Sequence, residues 1–511
     1  MTSVADFYEG KNVLVTGGSG FIGKVFIEKL LRCCPEVGNI YILLRSKKGK
    51  SIQERLSQIK DLPIFDVLKK SNSAALNKLI PINGDGAELQ LGLSDEDREL
   101  LVNNVHIIVH TAASVRFDDS LKYAITLNVR GTREIVQLAT EVKNLSVFVH
   151  ISTTYCNTDR SLIEEKIYPA HADWREAIEI AETVDEEILN AMACKYISPL
   201  PNTYTFAKSL SEHVVEDMCK GRIPAIIIRP SVVVSTLEDP FPGWNDNFNG
   251  PTGLLVAGGK GVLRTVLGHP KSVQDFIPAD LVVKLMLVAT WQKAQFGDKN
   301  EIEVYHGSKN ECTPIKIGEV VKMGADLVQD SPFSQILWYP NFSMTSCWYN
   351  YYIQVILFHI IPAIFLDLLL RLAGKKPMIV KIQRKIYIAN VILEYFLKHS
   401  WKFDNKKSFS LINKLQKEDK ETFGLSENIL SWSNSQIFEF FKKGKIGAAM
   451  YILKEDFDHT RKESRKNLYR LWILDRITKV IFYGFVLYLF TTNYHVLKYY
   501  YNRLENYITN L

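Results

Sequence analysis

Tyr204 and Lys208 stand four positions apart, so in a helix their side chains lie one turn apart on the same face. A carbonyl group that accepts hydride needs a proton donor beside its oxygen, and a phenol can supply that proton. A free tyrosine has a pKa of about 10, and a nearby ammonium group lowers it. Lys208 is also suited to hold the ribose of a nicotinamide cofactor. The pair therefore predicts carbonyl reduction.

The same Tyr-x-x-x-Lys spacing occurs at two other places, Tyr305/Lys309 and Tyr494/Lys498. Tyr305 lies in an alternating, strand-like run, where four residues do not make a helical turn. Tyr494 lies in an apolar segment far from any nucleotide motif. Only Tyr204 follows a predicted strand and begins an amphipathic helix, so it is the predicted catalytic residue.

Hydroxyl and amide side chains provide further candidates. Ser152 and Thr153 follow the fifth predicted strand, and the carboxyl ends of parallel strands line the ligand crevice. Either hydroxyl could stabilise charge that develops on a carbonyl oxygen. Asn128 could connect Lys208 to water, or it could be a structural residue that bends a helix.

A glycine-rich turn follows the first predicted strand and opens the first helix. Gly17 allows a sharp turn, Gly20 allows the backbone to approach a pyrophosphate, and Gly23 allows the helix to pack closely on the sheet. The helix N-terminus offers free N–H groups to phosphates. The predicted cofactor contacts of this turn are Gly17, Gly18, Ser19, Gly20, Phe21, Ile22 and Gly23.

Cations follow the second strand, where an NAD-dependent enzyme usually places an acid. Arg45 and Lys47 are suited to pair with a 2′-phosphate, so NADPH is predicted over NADH. A solvated basic loop is the alternative. Asp85, after the third strand, is a candidate for the adenine, and Ala112 belongs to a small-residue turn that can pass under the cofactor.

The elements that must position these residues alternate short apolar strands with amphipathic helices. Such strands predict a doubly wound parallel sheet of the Rossmann type, an α/β fold carrying a substrate lobe. The predicted strands span residues 12–16, 40–44, 79–83, 105–110, 147–152 and 225–229, and the first helix spans 21–33. From about residue 348 onward the periodicity is helical, which predicts an all-α C-terminal domain.

Composition excludes several classes of function. The 511 residues carry a formal net charge of only +6, which gives no support to nucleic acid binding. The seven cysteines are scattered and form no CxxC pair, so neither a disulfide framework nor a metal site is predicted. The polar N-terminus does not read as a signal peptide.

Two apolar segments mark the last third of the chain. Residues 348–366 carry no charge and are predicted to form a buried core helix. Residues 480–497 are predicted to contact membrane lipids, because a basic cluster precedes them. The cluster comprises Arg461, Lys462, Arg465, Lys466, Arg470, Arg476 and Lys479. The predicted division is a reductase domain with its substrate lobe at 1–345, a helical domain at 346–470 and a membrane-associating tail at 471–511.

Together with these elements, several longer motifs resemble the eukaryotic fatty acyl-CoA reductases, and the insect-like members in particular. This family belongs to the extended short-chain dehydrogenases. The motifs are residues 110–118, 128–132, 229–231, 240–244, 249–253, 338–340 and 374–377.

The resemblance implies reduction of a long-chain acyl-CoA to a fatty alcohol through an aldehyde, with NADPH as reductant and release of CoA. It also implies association with the endoplasmic reticulum, with the peroxisome or lipid droplet as alternatives. The C-terminal residues 508–511 are not a peroxisomal signal. A steroid or nucleotide-sugar dehydrogenase would share the cofactor and catalytic residues, and remains the alternative function.

Overall fold

The computed structural model describes residues 2–47, 49–309, 314–424 and 432–493, with Lys498 and Arg503 beyond them. Its strands are β1 (Val13–Thr16), β2 (Ile40–Leu44), β3 (Leu79–Asn83), β4 (Ile107–His110), β5 (Val147–Ile151), β6 (Leu162–Ile163), β7 (Ala225–Pro230), β8 (Val232–Val234), β9 (Thr265–Leu267), β10 (Val273–Gln274), β11 (Phe276–Pro278), β12 (Glu303–Gly307), β13 (Ile315–Lys316), β14 (Ser343–Thr345) and β15 (Lys402–Phe403).

Its helices are α1 (Val4–Phe7), α2 (Phe21–Cys33), α3 (Ile52–Lys60), α4 (Asp66–Asn72), α5 (Asp95–Asn104), α6 (Leu121–Ala124), α7 (Gly131–Glu141), α8 (Trp174–Thr183), α9 (Glu186–Tyr196), α10 (Thr203–Cys219), α11 (Pro251–Gly259), α12 (Ala279–Phe296), α13 (Ile317–Asp330), α14 (Trp348–Val355), α15 (Ile361–Leu372), α16 (Ile379–Lys398), α17 (Lys406–Ser410), α18 (Lys417–Phe423), α19 (Asn434–Gly447) and α20 (Phe457–Thr492).

A seven-stranded sheet in the order β12-β7-β5-β4-β1-β2-β3 is the centre of the fold. Every neighbouring pair in it is parallel, which confirms the predicted doubly wound class. The six predicted strands are all present, with ends that differ by at most two residues. The seventh, β12, contains Tyr305, which pairs with Ile228 and confirms the strand-like reading of that run.

The strands are apolar throughout because each face of the sheet is covered by helices. Val13 and Val15 pack into the core cluster that contains residues of α2 and α12. Leu14 points the other way, into a second cluster with residues of α7 and α10. Successive side chains of a strand alternate between faces, so a strand buried on both sides must be apolar at every position.

Short strand pairs build the substrate lobe and attach the C-terminal region to it. β8 pairs with β11, β9 with β14 and β10 with β13. β15 pairs with β6, which connects residues beyond 400 to the loop after β5. The backbones of Gly243 and Gly447 also pack against each other, with no room for a side chain at Gly447. The C-terminal helices are therefore packed against the reductase domain.

The segment predicted to form a buried core helix is instead exposed, so that prediction was wrong. Residues 348–372 form one helical run, with a π-helical turn at Ile356–Ile360, and only 22% of its most apolar window is buried. Apolar composition indicates that a helix is removed from water, but it does not show whether protein or lipid covers the helix. Among the described residues this run is the one candidate membrane span by length and composition.

The basic-flanked apolar segment begins within α20, whose side chains at Val480, Ile481 and Tyr483 are exposed. Residues 494–497, including Tyr494 of the third Tyr-x-x-x-Lys pair, lie outside the described residues. α20 runs without a break across position 470, the predicted end of the helical domain.

Candidate active site

The end of β5 and the first turns of α10 bring the predicted catalytic residues together. Asn202 caps α10 by accepting a hydrogen bond from the backbone N–H of Thr205 at 2.9 Å. The helix therefore begins just before Tyr204, and Lys208 lies one turn further on. The Nζ of Lys208 donates a hydrogen bond to the carbonyl oxygen of Ile151 at 2.6 Å, which ties the lysine to the end of β5.

The phenol of Tyr204 shares a hydrogen bond with the Thr153 hydroxyl. Burial raises the pKa of Tyr204 above its ordinary value, and the hydrogen bond with Thr153 lowers it by less. The predicted lowering of the Tyr204 pKa by Lys208 was therefore wrong, because burial is the dominant influence and outweighs the hydrogen bond with Thr153. A phenol of raised pKa stays protonated at neutral pH and can donate its proton.

The two candidate hydroxyls lie in different surroundings. Ser152 is buried close to the Cys156 thiol and the Glu212 carboxylate, and its hydroxyl helps to lower the pKa of Glu212, whereas burial raises the pKa of Cys156. Thr153 is beside Tyr204 and accepts a hydrogen bond from the Tyr155 backbone N–H at 3.2 Å. Thr153, and not Ser152, is therefore next to the predicted proton donor.

Lys208 is fully enclosed, and burial lowers its pKa to about 8, while the charge of Glu212 acts in the opposite direction. Its Nζ also lies 3.5 Å from the Nε2 of His150. Burial keeps the pKa of His150 well below the ordinary value, and the positive charge of Lys208 lowers it further. The histidine is therefore neutral beside the lysine.

Behind the site, Glu212 and Arg229 form an ion pair that sequence reasoning missed. Arg229 is completely buried, and its Nη2 and Nε donate to the two carboxylate oxygens of Glu212 at 2.6 and 2.8 Å. Burial opposes ionisation of Glu212, but the charge and hydrogen bonds of Arg229, with smaller contributions from neighbouring side chains, together outweigh it and lower the pKa of the carboxyl. Arg229 belongs to one of the family motifs, yet no sequence signal paired it with position 212.

A second buried histidine lies under the glycine-rich turn. The Nδ1 of His110 lies 2.7 Å from the Thr16 hydroxyl, and its Nε2 lies 3.1 Å from the Thr132 hydroxyl. Burial lowers the pKa of His110 to about 3. Its ring stacks on His150 at a centroid distance of 5.4 Å. This neutral histidine pair joins the glycine-rich turn to Lys208, the candidate catalytic lysine.

The glycine-rich turn has the predicted geometry. Gly17 has a φ of +73°, and a Cβ there would come within 2.6 Å of the Ala112 backbone nitrogen, so only glycine fits. Ala112 thus lies directly against the turn. Gly23 packs against the backbone of Gly17 and Gly18 with no space for a side chain. α2 begins at Phe21 after Gly20, which has no side chain to cap the free N–H groups.

An aromatic residue of the loop after β8 covers the start of α2. The ring of Trp244 stacks on Phe21 at 5.2 Å, with an interplanar angle of 19°. Lys24, one turn further into α2, pairs with Asp246 of the same loop. The loop therefore shields one side of the turn that includes Ser19 and Ile22.

At the end of β2, Arg45 pairs with Asp85, with 2.6 Å between Nη1 and Oδ2. The Arg45 side chain is 47% exposed and is also close to Tyr123. Arg55, which sequence reasoning missed, donates to the carbonyl oxygen of Arg45. The backbone of Lys47 bridges to Lys50 in the same turn. The predicted adenine and phosphate residues thus lie together.

Asn128 lies in a π-helical turn, Ile125–Arg130, and both ends of its amide contact Ser114. Its Oδ1 accepts from the Ser114 N–H at 2.8 Å, and its Nδ2 donates to the Ser114 carbonyl at 3.0 Å. These contacts favour the structural alternative for Asn128, since they hold the turn that follows β4.

These features fit a dinucleotide. The turn at Gly17 leaves room only for backbone, α2 offers its uncapped N–H groups, and a cation follows β2. A protonated phenol and a buried lysine on α10 lie beside the carboxyl end of β5. The fold and site define a nicotinamide-dependent oxidoreductase of the extended short-chain dehydrogenase type.

Comparison with known proteins identifies the family. Residues 15–286 and 358–455 match two family descriptions, both given as male sterility protein, the first of them a nucleotide-binding domain. The chain is 38% identical to human fatty acyl-CoA reductase 1 over 471 residues, which is 92% of this chain and 90% of the relative. It is 36% identical to the fatty acyl-CoA reductase wat of Drosophila melanogaster over 481 residues, which is 94% of this chain and 91% of the relative. The chain belongs to the fatty acyl-CoA reductase family.

Solved structures support the fold. The reductase domain of a nonribosomal peptide synthetase from Mycobacterium tuberculosis superposes with a TM-score of 0.56 at 18% identity, covering 87% of this chain and 95% of that one. The terminal reductase domain of the myxalamid pathway superposes with a TM-score of 0.53 at 17% identity, covering 86% and 90%.

Proposed function

We propose that this protein reduces a long-chain fatty acyl-CoA to the corresponding primary alcohol, with NADPH as reductant, an aldehyde as intermediate and CoA as the released product. The observation that carries the proposal is the hydrogen-bonded pair of Tyr204 and Thr153 at the end of β5, with Lys208 held one turn below. Membership of the fatty acyl-CoA reductase family supports the substrate class.

The residues of the site have distinct roles in the first reduction. NADPH, when bound, supplies hydride to the thioester carbon. The hydroxyls of Tyr204 and Thr153 hydrogen-bond the carbonyl oxygen and stabilise its developing negative charge. Tyr204 then gives up its proton to that oxygen. The ammonium of Lys208, present below a pKa of about 8, stabilises the phenolate left behind and holds the ribose hydroxyls.

Collapse of the resulting hemithioacetal breaks the carbon–sulfur bond. The electron pair of that bond leaves with sulfur as CoA thiolate, and the hydroxyl proton returns to the phenolate of Tyr204 as the aldehyde forms. The aldehyde then occupies the same hydrogen-bonding position. A second hydride and the proton of Tyr204 convert it to the alcohol, so two equivalents of NADPH are consumed for each acyl-CoA.

Preference for NADPH over NADH rests on the cations after β2. Arg45 is partly exposed, and Arg55 lies against it. Lys47 follows in the same turn. A 2′-phosphate carries two negative charges and accepts charge-assisted hydrogen bonds from a guanidinium, whereas a ribose hydroxyl at that place would gain little from them. Asp85 holds Arg45 in position, and we propose that it also contacts the adenine when the cofactor binds.

Two exposed apolar elements fit a membrane surface. The helical run 348–372 exposes large side chains such as Ile364, Phe365 and Leu369, and a patch of this extent on one element marks an interaction surface. Lys375 and Lys376 follow it directly, and cations of this kind are attracted to anionic headgroups. The second element is the exposed part of α20.

The proposed organisation follows from these surfaces. A reductase domain with its substrate lobe (1–345) and a helical domain (346–470) lie on the cytosolic side of the membrane, and the exposed run 348–372 and the tail (471–511) contact the bilayer. The proposed location is the cytosolic face of the endoplasmic reticulum, with the peroxisome and lipid droplet as the alternatives.

The function is tested by expressing the full chain in yeast and analysing total lipids by gas chromatography. New saturated or unsaturated fatty alcohols are expected, and their chain lengths define the specificity. The detergent-purified protein should oxidise NADPH with palmitoyl-CoA but not with palmitate or a ketosteroid. Reduction of a ketosteroid or of a keto-sugar nucleotide in place of acyl-CoA would refute the proposal.

A further inference from the structure

The exposed helical run 348–372 is long enough to cross a bilayer. Its 25 residues extend about 37 Å at about 1.5 Å each, and the hydrocarbon core of a bilayer is about 30 Å thick. Length alone therefore does not distinguish a helix that crosses the membrane from one that lies on it. The contacts of the run with the rest of the protein distinguish these two arrangements.

One side of the run faces protein along its whole length. Its buried side chains recur at every fourth position, namely Tyr351, Val355, His359, Ala363 and Asp367. An α-helix has 3.6 residues per turn, so such a stripe would drift around it, and the wider π-helical turn at Ile356–Ile360 reduces that drift. The other side exposes large apolar side chains such as Ile353, Ile360 and Ile364. The run therefore has a protein side and an apolar outer side.

The first half of the protein side lies on the substrate lobe. Tyr351 and Val355 pack against Leu267 of β9. Halfway along the run, the ring nitrogen Nε2 of His359 accepts a hydrogen bond from the backbone N–H of Arg264 at 3.0 Å. His359 is only 3% exposed, so the middle of the run is held on the lobe as well as its first turns.

The second half of the run contacts α16, which returns along the lobe. The carboxylate of Asp367 accepts hydrogen bonds from the first backbone N–H groups of α16, those of residues 378–380, at 2.9 Å each. Near the start of α16, the Gln383 amide donates to the carbonyl oxygen of Val262 at 2.9 Å. Near its end, Leu397 packs into an apolar cluster of the lobe. The corner between the run and α16 is therefore held close to the lobe.

α20 attaches to the lobe beside the middle of the run. The guanidinium of Arg264 lies over the ring of Trp338 at 5.2 Å, and the indole N–H of Trp338 donates to Asp475 of α20 at 3.1 Å. Arg264 is also the residue whose backbone N–H binds His359. The two exposed apolar elements are therefore attached at neighbouring points of the lobe.

A cluster of cations follows the run. Residues 373–393 contain five cations and no acid, and all five cations are exposed: Lys375, Lys376, Lys381, Arg384 and Lys385. Three of them, Lys381, Arg384 and Lys385, are spaced three and four apart, so they share one face of α16. If the run crossed the bilayer together with the helix it is packed against, these cations would enter the hydrocarbon, which is strongly unfavourable.

We infer that the run 348–372 lies flat in the cytosolic leaflet without crossing the bilayer, and that the cations of the corner and of α16 bind the anionic phospholipid headgroups beside it. The inference rests on the membrane contact proposed above. An apolar helix face of this kind enters the boundary between headgroups and acyl chains to a depth of about 5–10 Å. Cations at its edge then lie at the level of the headgroups, and the cytosolic leaflet is negatively charged.

The positions of the two ends of the run test whether it crosses the bilayer. Sealed microsomes with the cytosolic side outward, carrying the full-length protein, are treated with a membrane-impermeant maleimide, and labelled peptides are identified by mass spectrometry. Cys347 lies at one end of the run, and Ala373→Cys places a thiol at the other, where the chain is also exposed. Both ends should be labelled, as should Cys194, an exposed thiol of the reductase domain. Labelling of either end only after permeabilisation would overturn the inference.

Flotation with lipid vesicles tests the role of the cations. Full-length protein from cell-free synthesis is mixed with vesicles of phosphatidylcholine, with or without phosphatidylserine. Each cation near an anionic surface strengthens binding about fivefold, so Lys381→Gln/Arg384→Gln/Lys385→Gln should weaken binding to vesicles that contain phosphatidylserine about a hundredfold. Its binding to phosphatidylcholine alone should stay near the parental value.

The matched control removes the same charges elsewhere. Lys220, Arg222 and Lys299 are exposed near the amino end of β7, and Lys220→Gln/Arg222→Gln/Lys299→Gln should bind both kinds of vesicle as the parent does. An equal dependence on phosphatidylserine in the parent and the α16 variant would overturn the inference. A parent that floats with neither vesicle, and whose run 348–372 cross-links to that of a second copy, would refute the proposed membrane contact itself. Neither measurement uses acyl-CoA, so failure of the proposed reaction is detected separately.

Discussion

Removal of the Thr153 hydroxyl tests which of Ser152 and Thr153 stabilises the substrate oxygen, a choice that the sequence leaves open. Thr153→Val keeps the shape of the side chain but deletes the group that hydrogen-bonds Tyr204. In the protein the Thr153 hydroxyl donates only a long, 3.5 Å hydrogen bond to the carbonyl of Pro230, so it is readily redirected to a substrate oxygen. Loss of one such donor in an oxyanion site lowers kcat by about 10²–10³-fold, or about 2.7–4 kcal/mol.

The matched variant is Ser152→Ala. Ser152 lies near Cys156 and Glu212, whereas the hydrogen bond of the Tyr204 phenol is with Thr153, so loss of the Ser152 hydroxyl should lower kcat by less than about tenfold. Both variants are compared by the rate of fatty alcohol formation from palmitoyl-CoA at saturating NADPH, and by urea unfolding. Thr153→Val also loses the acceptor for the Tyr155 N–H, which should cost about 1 kcal/mol of unfolding free energy.

The reasoning would be refuted if Ser152→Ala lowered kcat more than Thr153→Val did. It would also be refuted if folded Thr153→Val retained the parental kcat, because the hydroxyl beside the phenol would then take no part in the reaction.

Three further predictions concern the cofactor, the buried ion pair and acid stability. Arg45→Ala should raise KM for NADPH about 10–100-fold and leave KM for NADH nearly unchanged, because a charge-assisted hydrogen bond to the 2′-phosphate contributes about 1.5–3 kcal/mol. Equal changes in KM with both cofactors in steady-state kinetics would contradict the assignment of Arg45 to the 2′-phosphate. Arg229→Met should lower the unfolding free energy in urea by about 3–5 kcal/mol, because Glu212 loses its buried partner, and the double variant with Glu212→Leu should regain most of that loss. The unfolding free energy should be greatest above about pH 6.5 and should fall progressively as the pH drops towards about 3. Burial lowers the pKa of His110 to about 3 and that of His150 well below 6.5, so in this range only the unfolded chain binds these protons. His150→Gln should show a shallower pH dependence in urea unfolding, and a parent that gains stability on acidification would contradict the prediction.

The parts of the fold that could be predicted are those in which the local conformation and the tertiary packing require the same type of residue. β1 is buried on both faces, so its apolar run needs no tertiary information to be recognised. The turn at Gly17 requires a positive φ and close backbone contact, which only glycine satisfies, and this predicts both the turn and the nucleotide site. The Tyr204–Lys208 spacing becomes informative once a strand precedes it and a helix contains it.

The missed features depend on contacts between residues far apart in the chain. Arg229 and Glu212 are on different elements, and neither sequence neighbourhood indicates the other. The raised pKa of Tyr204 reflects burial, which the spacing to Lys208 does not report. The exposure of residues 348–372 depends on what surrounds the helix, and hydrophobicity alone does not distinguish a protein core from a lipid surface.

Transfer of label from deuterated NADPH to the product of the full-length protein tests the central claim most directly. If one phenol serves two successive hydride additions to the same carbon, palmitoyl-CoA should give an alcohol with two deuterium atoms on its terminal carbon. Tyr204→Phe should bind NADPH as the parent does yet form almost none of this alcohol. An unlabelled or singly labelled alcohol from the parent, or doubly labelled alcohol formed by Tyr204→Phe at the parental rate, would contradict the account.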